Sequence, residues 1–330
     1  MRQLAAGAGA VALLAALSWL LDRFLNPYYY QVLVLIGINV ILAVSLNLIN
    51  GFTGLFSIGH AGFMAIGAYT SAAVSVYGGP GLHGAIDPLI GTSAADTILL
   101  LVAIGAGSVL AAIAGVLVGI PALRLKSDYL AIATLGFGEI IRVIILNLDV
   151  IGGARGLGDI PALAGFFWVY LFVIITILTV HRIVRSARGL ALLAVREDDL
   201  AADVMGIDAT RFKVTAFLIG SFFAGIAGGL FAHFLTYLHT NSFTFMRSIE
   251  IIVMVVLGGM GSITGSVASA GLLTVLPEVL RPLKEFRMVI YSALLILLML
   301  TRPQGVLGDR ELDLRPWLAR LRGRGSRKPA

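Results

Sequence analysis

The chain contains no cysteine among its 330 residues, which excludes disulfides, thiol chemistry and Cys-rich metal sites together. Charge is scarce as well: Asp, Glu, Lys and Arg supply 13% of the residues, against roughly 25% in ordinary soluble domains. Three nucleotide, metal and nucleophile signatures are also missing. No Gly-x-x-x-x-Gly-Lys-Ser/Thr loop occurs, and the glycine-rich stretch 152–158 lacks the Lys-Ser/Thr ending that would hold a phosphate. There is no His-Glu-x-x-His pair and no Gly-x-Ser-x-Gly elbow. The chain is therefore not expected to be an enzyme or to carry a metal or other cofactor, and any energy it uses must come from an ion gradient or from a partner.

What is present is apolar. Hydrophobic residues make up 58% of the chain and the mean hydropathy is +0.97, so this is an integral membrane protein. Apolar runs lie at about 4–21, 31–49, 58–76, 97–120, 129–148, 165–180, 212–238, 249–276 and 288–300. Most reach the roughly 17–25 residues a spanning helix needs. The alternating pattern of outer-membrane barrels is absent, and only helices or closed barrels satisfy the backbone in hydrocarbon. We expect an all-α polytopic protein with about 8–10 transmembrane helices, some broken or re-entrant. One domain covers 1–308, with a basic tail at 309–330 that reads as disordered. The first run follows a single Arg2 with no clear cleavage site, and reads as a span rather than a signal peptide.

The net charge of +6 is placed for a membrane, not for nucleic acid. Eight basic residues lie in 302–328 and six in 182–213, while 77–96 has neither Lys nor Arg. This is the positive-inside pattern, which sets 182–213 and both termini in the cytoplasm. Three runs separate 182–213 from the tail, however, and three crossings would leave the tail outside. One run must be doubled, and the candidate is 249–276, interrupted by the glycines Gly258, Gly259, Gly261 and Gly265. Its first half, 249–257, is too short to span. In this topology Arg281, Lys284 and Arg287 face outwards, against the charge rule.

A second interruption runs from Asn47 through Asn50, Thr53, Ser57 and His60 to Gly62. Two glycine-broken hydrophobic segments in separate halves point to a transport pathway. His60, with no second ligand near it in sequence, does not read as a metal ligand. Glu139 and Arg142, at i and i+3, share a helix face, and either a pathway role or a purely structural pairing fits them. His233 reads as a packing donor, Arg247 and Glu250 as a pair at the membrane edge, and the small-residue runs 111–115 and 225–229 as helix-packing faces.

The stretch 182–213 is a charged island, with 11 of the chain's 42 charged residues. Within it, Asp198, Asp199, Leu200, Ala201, Ala202, Asp203 and Gly206 form a short helical pattern with acids at its start and glycine at its stop. Leu200 and Val204 make an apolar stripe, Asp199 and Asp203 a charged one. So short a helix is marginal alone in water. It is expected to order against something else.

Five stretches taken together resemble the permease subunits of branched-chain amino acid ABC importers, the LivM family: 47–69 (NLINGFTGLFSIGHAGFMAIGAY), 128–161 with FGEIIR and GGARGLGDIP, 189–213, 248–265 (SIEIIVMVVLGGMGSITG) and Arg-Pro-Gln-Gly ending at Gly305. The resemblance covers about 28–308. It implies that the island is the coupling loop held by an ATPase subunit, and Leu200-Ala-Ala-Asp-Val-Met-Gly206 is similar to the Glu-Ala-Ala-x-x-x-Gly core of such loops, with Leu200 in place of the glutamate. It further implies two ATPases, a second related permease and a periplasmic binding protein as partners, and a bacterial inner-membrane location. Asn47 to His60 would then line or gate the path and Glu139 would help shape it. The implied cargo is a branched-chain or other apolar amino acid. Related permeases serve urea or short amides, and an ion-coupled transporter using Glu139 and Arg142 stands as the alternative mechanism.

Overall fold

The computed structural model describes residues 2–82, 84, 91–122, 127–281, 287–301 and 305. The tail 309–330, Arg124, Lys126 and Lys284 lie outside the described residues. Among the described residues the chain is a helical bundle whose single β-bridge joins Leu157 to Leu238. We number the helices α1 (Arg2–Phe24), α2 (Pro27–Asn47), α3 (His60–Ala73), α4 (Thr92–Ala122), α5 (Ser127–Leu146), α6 (Phe166–Val184), α7 (Ala187–Glu197), α8 (Asp199–Val204), α9 (Ala209–Leu235), α10 (Phe245–Gly258), α11 (Ile263–Val279) and α12 (Arg287–Thr301). Six helices are long and apolar enough to cross a membrane, and two shorter apolar helices, at Ala12–Leu21 and Ile263–Val279, accompany them.

Two buried helices organise the bundle. α9 packs along α3 and α4, and α2 packs against α6, α9 and α11. Lipid tails are as apolar as leucine, so helices in a bilayer associate through close backbone approach rather than the hydrophobic effect. The small-residue runs provide that approach. A Cβ on Gly225 would lie 2.7 Å from both Ser108 Cα and Ala111 Cβ of α4, and one on Gly67 of α3 would lie 2.7 Å from the carbonyl carbon of Gly225. His233 bonds Ser71 Oγ at 3.1 Å and Pro161 O at 3.0 Å, tying α9 to α3 and to the 147–165 connection. It acts as the packing residue its setting suggested.

The break in the 249–276 run is present, but its first leg is longer than the apolar run alone implies. α10 begins at Phe245, because Arg247 is held by Glu250 at 2.8 Å and by Asn39 Oδ1 at 2.6 Å, which lets a charged residue join the helix. α10 and α11 form an antiparallel hairpin with its tip at 259–262. At the tip Gly259 and Gly261 adopt positive φ, and a Cβ on Gly258 would lie 2.5 Å from the carbonyl carbon of Gly265. Doubling this run makes four passes after α8, so the chain that follows α12 returns to the island's end of the bundle. Gly305 reaches the hairpin tip there, where its own Cβ would lie 2.5 Å from Gly259 N. At the opposite end Arg281 stacks over the Tyr28 ring at 5.0 Å, and Tyr28 donates to Glu278. The cation at the unexpected end is thus locally compensated.

Candidate functional site

The first break begins where α2 loses its regular pitch. Residues Leu48–Phe52 form a π-helical turn, 53–59 are irregular, and α3 starts at His60. Single π turns inside helices are frequent at functional positions. The freed backbone groups are satisfied locally and across the bundle. Thr53 Oγ1 donates to Leu48 O at 2.9 Å, Ser57 N donates to Asn50 Oδ1 at 3.2 Å, and Ile58 N donates to Thr134 Oγ1 of α5 at 3.0 Å. Ala61 N donates to Ser248 Oγ of α10 at 3.1 Å, and His60 Nε2 pairs with Ser45 Oγ at 2.9 Å.

The two breaks, some two hundred residues apart in sequence, are stapled to each other. Asn47, fully buried, donates from Nδ2 to Ser262 O and accepts at Oδ1 from Gly261 N, both at 2.9 Å. Gly51 sits inside this joint, since any Cβ there would fall onto Asn47 Oδ1 and Gly261 N. The structure therefore brings Asn47 together with the glycines Gly258, Gly259, Gly261 and Gly265. Asn50, Thr53, Ser57 and His60 lie in the same break and are buried, with Ser57 Oγ and His60 Nδ1 lacking a protein partner.

Glu139 and Arg142 are elsewhere. They pair at 2.7 Å on α5, half-exposed, beside the exposed Ile140, Val143 and Ile144. The adjoining face of α5 packs on α3, where a Cβ on Gly62 would lie 2.9 Å from Gly138 Cα.

The island folds into two helices rather than one. α7 was not anticipated from the charge pattern, although Gly189, Leu192 and Val195 mark its buried face at helical spacing. Asp198 caps α8, accepting from Leu200 N and Ala201 N at 3.0 Å each. Gly206, at φ +85°, ends it in the left-handed conformation that other residues resist. Ala202 packs with Val195 and Ala209 in a small core of the island's own. The acidic stripe stays exposed but is tied to α9: Asp203 Oδ1 accepts from Ala209 N at 2.9 Å, and Asp199 pairs with Lys213 at 2.8 Å. The Lys213 ammonium, bonded to Asp199 and close to it, holds that carboxyl below the usual carboxylate range. The apolar stripe turns outward, with Leu200 75%, Val204 87% and Met205 80% exposed.

One contact absent from the sequence expectations joins the island to the breaks. Arg196, at the end of α7, donates from Nη1 to Gly51 O at 2.9 Å. Its signal was weak, because a basic residue in a charged loop is the ordinary case.

Comparison with known proteins agrees with this layout. A family model described as the branched-chain amino acid transport system / permease component matches residues 28–300. The chain belongs to that permease family. The high-affinity branched-chain amino acid transport system permease protein LivM of Salmonella typhimurium is 37% identical over 305 residues, covering 82% of this chain and 68% of the relative. The probable branched-chain amino acid transport permease protein LivM of Methanocaldococcus jannaschii is 26% identical over 328 residues, covering 87% of this chain and 95% of the relative. The permease also resembles LivH of Escherichia coli, at 33% identity over 159 residues, 47% of this chain and 50% of the relative. No solved structure matches. The matched region begins at α2 and includes both breaks, the island and nearly all of α12, while α1 lies outside it.

Proposed function

We propose that this permease is the membrane-spanning subunit of an ATP-driven importer for branched-chain or other apolar amino acids, and that α8 is the surface an ATPase subunit holds. The carrying observation is the division of labour on α8. Its charged side is tied back to α9 through Asp199, Asp203 and Ala202, while Leu200, Val204 and Met205 project into water. A three-residue apolar patch on a charged loop gains free energy only when something covers it. The covering partner supplies the ordering that a six-residue helix lacks by itself.

In this reading Asn47, Asn50, Thr53, Ser57 and His60 belong to the translocation path, and Gly258, Gly259, Gly261 and Gly265 are its hinge. A periplasmic binding protein delivers the cargo, and the assembly sits in the bacterial inner membrane with both termini in the cytoplasm. A second permease, of which LivH is a named relative, covers α5. The support is the Glu139–Arg142 pair: ionisable groups in a span point into protein or a water-filled cavity rather than lipid, and this pair is only partly covered by its own chain, at 35% and 26% exposed. Since the chain has no cysteine, a single Ile140→Cys substitution labelled with a thiol-reactive photo-cross-linker should join the second permease on illumination; a product with lipid alone overturns this placement.

The deciding experiment is co-purification of the ATPases with a Leu200→Asp, Val204→Asp variant. Both side chains project away from the protein, so folding is preserved while the apolar patch is lost. ATPase recovery and uptake should both collapse. Normal recovery with normal uptake refutes the docking role, and uptake that persists without any ATPase but follows the proton gradient favours the ion-coupled mechanism.

A further inference from the structure

The island packs on the first break through α7 and the start of α9, and among the described residues Arg196 carries the hydrogen bond between them. Arg196 lies two residues before the Asp198 cap of α8, and Val195 beside it packs with Ala202 and Ala209, so α7, α8 and the start of α9 are held as one body. On its far side the guanidinium bonds Gly51 O. Gly54, at φ +71°, brings the main chain against the same residue: a Cβ there would lie 3.0 Å from Arg196 Cγ, 3.3 Å from its Cα and 3.4 Å from its Cβ. Gly51 in turn presses on the Asn47–Gly261 staple, and Gly305 closes the other face of the hairpin tip. On this route from α8 to the α10–α11 hairpin Arg196 supplies the flexible side chain, while α9 meets the first break beside it where Gly220 packs on Ile49. The remaining steps are tight backbone or buried amide contacts.

We propose that Arg196 is the positioning residue that makes the island and the two stapled breaks move as a single rigid unit, so that displacement of α8 is delivered to the hairpin. This rests on the reading of α8 as the ATPase contact. Arginine suits the task because its fork is always charged and planar and is preorganised, so it loses less entropy per hydrogen bond than lysine does. Charge-assisted bonds to a carbonyl are stronger than neutral ones. The neighbouring Gly54 leaves no room for the joint to slide. Contiguity alone does not demonstrate coupling, so the test must measure coupling itself.

The experiment uses the full complex of permeases, ATPases and binding protein in proteoliposomes, with leucine as the cargo. Arg196→Ala should leave ATPase co-purification and ATP hydrolysis intact, while leucine uptake falls about ten-fold, a typical coupling effect. ATP consumed per leucine should rise in proportion. Arg196→Lys should restore part of the uptake. Arg196→Gln, which keeps an amide donor without the charge, is the second variant and should fall between Ala and Lys in uptake. Arg196→Ala uptake within about two-fold of normal with ATPases bound, or equal uptake in the Ala and Lys variants, overturns the proposal. Loss of the docking reading looks different: the Leu200→Asp, Val204→Asp variant would then still hold its ATPases.

Discussion

Replacing Asn47 with leucine removes the staple between the two breaks while nearly preserving volume, and its cost can be worked from the partners left behind. Ser262 O keeps two other donors, Ser266 N and Ser266 Oγ, each at 3.1 Å, so it is not orphaned. Gly261 N has Asn47 Oδ1 as its acceptor in a partly buried position at the tip. An orphaned donor there costs about 1 kcal/mol, the low end for a buried group, and the bond lost to Ser262 O adds about 0.5–1 kcal/mol. A total of about 1.5–2 kcal/mol lowers the free energy of opening the tip and corresponds to about 10- to 30-fold faster local exchange. Hydrogen exchange read on the segment 258–266 by mass spectrometry measures this directly. Asn50→Leu is the control, since the Asn50 side chain bonds only within its own loop, to Ser57 N and Ser57 O. It should loosen 50–57 and leave 258–266 protected. Acceleration below about three-fold at 258–266 in Asn47→Leu, or equal acceleration in the control, would refute the staple.

Two further outcomes follow from the packing and the charges. Gly67→Ala places a methyl against the Gly225 backbone, and overpacking of this kind costs about 1–3 kcal/mol or more; thermal unfolding followed by gel filtration should show a clear drop relative to the unsubstituted protein. The Asp199 carboxyl has a folded pKa below its ordinary value, so its stabilising effect is present above the ordinary value of about 3.9 and is lost as pH falls through the lower folded value. Because the Asp199 side chain is 54% exposed, the effect amounts to a few tenths of a kcal/mol, roughly what a surface pair supplies. The stability difference between the protein and Asp199→Asn should therefore be small at pH 6 and shrink as pH falls below about 3.9; a difference that grows on acidification contradicts the sign.

Much of the bundle was legible because lipid imposes a simple rule on composition. The apolar runs became helices, both glycine interruptions became breaks, and the acid-first, glycine-last pattern of α8 became a capped helix ending at Gly206. The 225–229 and 111–115 runs became packing faces, because only small residues allow backbones to approach closely. Boundaries were less legible. α10 starts four residues before its apolar run since Arg247 finds both Glu250 and Asn39, a partner 208 positions away. α7 was hidden by its charges, which conceal a buried stripe of three residues.

The sequence by itself determined that this is a helical membrane protein with two broken segments, a charged loop at the face where its basic residues gather, and no chemistry of its own that the tested signatures describe. Those properties follow from local rules of length, composition and capping, which act within a few turns of chain. What took the packed fold to decide is that the two breaks form one joint, that Glu139 and Arg142 pair on α5, and that Arg196 bonds the joint to the end of α7. Those contacts span distances in sequence from 145 to 215 residues for the Arg196 and Asn47 bonds. A single asparagine or arginine carries no periodic signal, so its partner is set by how the helices pack.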